Sequence, residues 1–65
     1  MEIFKNESSL DRRLLEDSWR RLMKGEKIAS GKYYANKLMK ALIEGGFQFS
    51  AVWRAEYGNY ALEVA

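Results

Sequence analysis

The side chains that could do chemistry in this 65-residue chain are carboxylates, lysines, arginines and tyrosines, because it contains neither His nor Cys. Those two are the groups that most readily exchange protons or attack electrophiles near neutral pH. Without them there is no thiolate or imidazole metal ligand, no disulfide staple and no usual nucleophile–base pair. Asp, Glu, Lys or Tyr can replace them only in a concave pocket that shifts their pKa values, and a domain of this length seldom encloses one. The carboxylates supply no constellation. Glu16-Asp17 and Glu2/Glu7 lack the loop and glycine turn with which hard-cation sites gather several oxygens. Gly25, Gly31, Gly45, Gly46 and Gly58 match neither nucleotide-binding spacing. The expectation is a non-catalytic protein with no cofactor and no metal.

What remains for function is charge and aromatic surface. Residues 12–40 hold nine basic residues against three acidic ones, a net of +6, whereas the rest of the chain carries a net of −4. One reading is a surface for phosphate or an acidic partner. The other is the ordinary solvated face of two helices, with Glu16-Arg20 and Asp17-Arg21 pairing at i,i+4. Nine large aromatics, more than so thin a core can bury, divide in the same way. Alternation places Phe47, Phe49 and Trp53 on a core-facing sheet side. Tyr33, Tyr57 and Tyr60 fall near an element end or a turn and, with Arg20 and Arg21, are the expected contacts to a partner protein.

The elements that position these residues follow from periodicity. An apolar fraction of 48% with 14% aromatic excludes a disordered chain, and the length allows one domain, residues 1–65. Leu10, Leu14, Leu15, Trp19, Leu22 and Met23 recur at helical spacing over residues 8–24, with Ser8 as the capping residue and Gly25 at the stop. Tyr34, Leu38, Ala41 and Leu42 mark a second helix over residues 30–44, with Ser30 as N-cap and Gly45-Gly46 as the break. Beyond the glycines the period becomes two. Phe47, Phe49, Ala51, Trp53, Ala55 and Tyr57 alternate with Gln48, Ser50, Val52, Arg54 and Glu56, and Tyr60, Leu62 and Val64 continue the pattern after Gly58-Asn59, with Val52 the one large apolar residue off that face. A two-residue loop at Gly58-Asn59 predicts a hairpin with Trp53 opposite Val64 and Arg54 opposite Glu63.

A lone hairpin is barely stable in water. The expected fold is therefore a two-layer α+β mini-domain, two antiparallel helices packed on a C-terminal β-hairpin. Ile3-Phe4-Lys5 is available as an N-terminal third strand, giving the order βααββ.

The segment from Gly31 to Phe47, followed by the hairpin, loosely resembles the recognition helix and wing of winged helix-turn-helix proteins. The resemblance covers about half the chain and is one of element types, without a specific motif. It implies a nucleic-acid-binding regulator in which Ser30, Lys32, Tyr33, Asn36, Lys37 and Lys40 face the major groove. Arg54, Tyr57, Gly58 and Asn59 would form the wing. That family carries a short helix before the recognition helix, for which only residues 25–29 are available here.

The first residues lack the apolar core of a signal peptide and no run reaches membrane-spanning length, so a cytoplasmic protein without membrane contact is expected. The favoured function is a small regulatory or inhibitory protein that binds a larger protein or complex. The nucleic-acid-binding regulator is the alternative, and self-association into a homo-oligomer is expected with either.

Overall fold

A computed structural model describes residues 3–65. Helix α1 spans Ser9–Met23, and the Ser8 side chain caps it by accepting from the Asp11 N–H at 3.3 Å. It ends with the Gly25 N–H bonded to the Leu22 carbonyl at 3.0 Å and the Glu26 N–H to that of Arg21 at 3.1 Å. Leu15, Trp19 and Leu22 are buried, while Leu10, Leu14 and Met23 are exposed on the flanks. The apolar stripe is wider than the layer beneath it can cover.

Strand β1, Ile28–Gly31, runs straight into helix α2, Lys32–Glu44. Gly31, rather than Ser30, is therefore the N-cap, and no side chain caps the helix start. Ala35, Leu38, Ala41 and Leu42 are buried, and Ile43 stands out to solvent. At the other end the Gly46 N–H bonds the Ile43 carbonyl at 3.1 Å and the Phe47 N–H that of Leu42 at 3.0 Å. This closure puts Gly46 at φ +76, a conformation costly for any residue with a Cβ. Gly46→Ala should lower the unfolding free energy by about 1 kcal/mol in a urea titration; Cβ itself meets nothing within 4 Å, so the loss is backbone strain alone.

Strands β2 (Phe49–Arg54) and β3 (Asn59–Val64) form the C-terminal hairpin. The sheet is antiparallel in the order β1-β3-β2. Two helices layered on this sheet make the fold α+β, as the periodicities imply.

Three details of the path differ from expectation. The third strand is Ile28–Gly31, whose Ile28 pairs with Leu62 and Ser30 with Tyr60. Ile3-Phe4-Lys5 instead forms a turn that buries Phe4 edge-on against Trp19, with ring centroids 6.0 Å apart. Because β1 carries the chain back between the helices, α2 starts beside the start of α1. The Tyr34 hydroxyl donates to Asp11 at 2.8 Å, and Trp19, late in α1, meets Phe47 beyond the end of α2. The helices thus run in the same sense and do not form an antiparallel hairpin.

The hairpin loop is the third difference. It comprises Ala55, Glu56, Tyr57 and Gly58, and the Arg54 carbonyl accepts from the Tyr57 N–H at 3.1 Å and the Gly58 N–H at 2.9 Å. Gly58, at φ +64, closes this four-residue loop and does not open a two-residue one. Trp53 then pairs with Tyr60, Phe49 with Val64 and Ser50 with Glu63. The shift from the expected register is an even number of residues, so the side chains within the two strands keep their expected faces, while Phe47, Ala55 and Tyr57, expected in the first strand, lie outside it. Arg54 faces Asn59 in place of Glu63, and its Nε donates to the Asn59 side chain at 3.0 Å.

Both helices pack over β1 and β3, leaving β2 overhanging the layer. The core consists of Phe4, Leu15, Trp19, Leu22, Ile28, Ala35, Leu38, Ala41, Leu42 and Leu62. No helix among the described residues is long and apolar enough to cross a membrane.

Candidate functional site

The overhang of β2 determines what the molecule presents to its surroundings. Trp53 lies on the side of the sheet that faces the helices, yet it is 47% exposed because neither helix extends over it. Its ring meets that of Tyr60 edge-on, centroids 5.0 Å apart and planes at 62°. Together with Lys32, the first residue of α2, the two rings line an open concavity of about 460 Å³. On the other face of the sheet, the Arg54 guanidinium lies 4.9 Å from the centre of the Tyr57 ring, and Tyr57 is 67% exposed at the loop.

Electrostatics at this end favour a negatively charged ligand group. The α2 N-terminus has neither a capping side chain nor an acidic residue in its first turn, and Lys32 is exposed with no ion-pair partner among the described residues. Arg54 is a second positive charge at this end of the molecule, on the outer face of the sheet. Glu56 in the loop is the one acidic residue nearby in sequence.

Four residues singled out by sequence lie at the hairpin-loop end, Lys32 and Tyr60 in the concavity and Arg54 and Tyr57 as a separate stacked pair. The others do not join them. Arg20 pairs with Asp17, and Arg21 with Glu26 at 3.0 Å, rather than with Glu16 and Asp17 as the i,i+4 spacing suggests. Tyr33 donates to Asp11 at 3.3 Å and carries the Lys37 ammonium 4.9 Å from its ring centre. Lys37 is itself bound to Glu7 at 3.0 Å. Ser30 is part of β1, and its hydroxyl donates to the Gly31 carbonyl at 3.3 Å. Asn36 and Lys40 are exposed on α2. Where the winged-helix resemblance requires a helix before α2, the chain forms β1.

These tethers have a pH consequence. The hydrogen bond to Asp11 raises the pKa of the Tyr34 phenol, with burial adding to it, and the hydrogen bond to Glu7 raises that of Lys37. Each group holds its proton more tightly folded than unfolded. The contribution is therefore full below the unfolded pKa values and is lost as pH rises through the folded ones, above about pH 10. Unfolding titrations at stepped pH should show stability falling across that window, and Tyr34→Phe should flatten the fall.

Sequence reasoning missed Trp53 as a surface residue. Its alternation identifies the face it occupies but not whether anything covers that face. Among the described residues no group of three Asp or Glu gathers closely enough to hold a metal ion. No family model, curated protein or solved structure matches this chain.

Proposed function

We propose that this chain is a small non-catalytic regulatory protein that binds a larger protein through the open end of its hairpin. The observation that carries this reading is the half-exposed Trp53 set against Tyr60 beneath the basic start of α2. A large ring beside a cation gives apolar contact area at low entropic cost, as interface anchors do. The surface suits a partner segment with an apolar anchor flanked by a carboxylate, which Lys32 and the α2 N-terminus complement. Tyr57, projecting from the loop, supplies a second contact.

Capture from a cell lysate with and without nuclease, using wild type and Tyr57→Ala, tests this reading. A captured protein should survive nuclease, and Tyr57→Ala should weaken its binding by about 1–2 kcal/mol at unchanged melting temperature. The nucleic-acid reading has the opposite signature. Capture would then vanish with nuclease, and Gln at Lys32, Lys37 and Lys40 would lower both affinity and its salt dependence. Equal binding by wild type and Tyr57→Ala, both melting normally, would exclude the hairpin loop from the interface.

A further inference from the structure

Among the described residues nothing pairs with the outer edge of strand β2, and the strand lacks the devices that usually protect one. Its six residues pair with β3 without a bulge from Phe49–Val64 to Arg54–Asn59. Between Phe47 and Trp53 there is no charge, proline or glycine. Edge strands are normally blunted by lysine, proline, bulges, shortness or a covering element. The opposite edge is treated differently. β1 has only four residues, and α1 runs beside it, with Leu14, Asp17, Ser18 and Arg21 facing residues 29–31 across a shared groove.

The ladder defines which backbone groups of β2 are free. The Ala65 N–H donates to the Gln48 carbonyl at 2.8 Å, so the groups of Gln48 point toward β3. In an antiparallel pair these directions alternate along the strand. Ser50, Val52 and Arg54 therefore also point inward, and Phe49, Ala51 and Trp53 turn their N–H and C=O outward to solvent.

We propose that β2 pairs antiparallel with β2 of a second copy, about a two-fold axis through Ala51, to form a continuous six-stranded sheet. This register uses all three outward-facing residues of each strand, for six hydrogen bonds, and places the smallest side chain on the axis. Phe49 of each copy falls opposite Trp53 of the other, an aromatic cross-strand pair on the helix-facing side. Ser50 falls opposite Val52 on the outer face, and Arg54 opposite Gln48, so no like charges meet. The strand is thus complementary to itself, the property a closed two-fold interface requires. Because the helices sit over β1 and β3, neither obstructs the approach. Phe49 of the second copy would stand beside Trp53 and close the open side of the Lys32–Trp53–Tyr60 concavity. The pairing shares Trp53 with the proposed partner site but rests on the β2 backbone groups, which that site does not use.

Sedimentation of the pure chain from micromolar to millimolar concentration, with amide hydrogen exchange, tests the proposal. The expected result is a dimer in which the amides of Phe49, Ala51 and Trp53 exchange more slowly as concentration rises. Ala51→Pro removes an outward N–H and no ladder bond to β3, so the monomer should fold. It deletes two hydrogen bonds across the axis and should weaken the dimer about tenfold or more. Val52→Lys, which places a lysine on the exposed edge, should also weaken it and carries the test if Ala51→Pro melts early. Tyr57→Ala lies outside the paired strand and should leave the dimer unchanged, so failure here and failure of the partner site are read separately. A wild type that stays monomeric at millimolar concentration overturns the proposal and leaves the edge to a strand of another protein. A dimer indifferent to both edge variants overturns it equally.

Discussion

Trp19→Ala should be the most damaging single substitution in the molecule, lowering the unfolding free energy by about 3–5 kcal/mol. The indole joins three segments that have no other common contact of this size. It meets Phe4 of the N-terminal turn edge-on at 6.0 Å and Phe47 of the loop beyond α2 at 5.7 Å, from its own place on α1. Truncation leaves a large cavity and two aromatic rings without a partner. A 65-residue chain has little stability in reserve, so most of it should be unfolded at physiological temperature. Thermal and urea unfolding monitored by circular dichroism check this. Leu10→Ala provides the contrast on the same helix. Leu10 is exposed, and its removal should change stability by no more than about 0.5 kcal/mol.

The second large effect concerns binding. Trp53→Ala should weaken association with the partner by about 2 kcal/mol or more, the range of an interface hot spot. Its cost to folding should be much smaller than that of Trp19, because the ring lies outside the buried core and touches chiefly Tyr60. The two tryptophans thus separate the two roles an aromatic can have in a small domain. One holds the layers together; the other is left over by them. Calorimetric titration of the captured partner against each variant, beside its melting curve, measures the separation. If Trp53→Ala melted as early as Trp19→Ala, the indole would belong to the core and the proposed surface would lose its anchor.

The helices were legible because their signals are local. Ser8 and the glycines after each helix act within a few residues, and the 3.6-residue stripes identify Leu15, Trp19, Leu22, Leu38 and Leu42 as buried. Hairpin faces were legible for a related reason: the misjudged loop moved the register by an even number of residues, so Phe49, Trp53, Tyr60 and Leu62 stayed on one side. Strand β1 was not legible. Ile28-Ala29-Ser30-Gly31 is too short for alternation to show, and its strand character comes from pairing with residues 59–62, far along the chain. The site suffered the same non-locality. Tyr57, Tyr60, Lys32 and Arg54 are visible as residues near turns and helix ends. That Trp53 joins them depends on β2 occupying an edge, which only the sheet order determines.

The claim that the hairpin end contacts a protein is tested most directly by site-specific photocrosslinking in cells. A benzophenone amino acid at position 57 would report the neighbours of the loop, and the same probe at position 10 those of the outer flank of α1. Both positions are exposed and should accept the probe without unfolding. The proposed function predicts a discrete crosslink from position 57 to a protein other than this chain, resistant to nuclease and absent from position 10. Crosslinks from position 10 alone, or from position 57 only to nucleic acid, would contradict it.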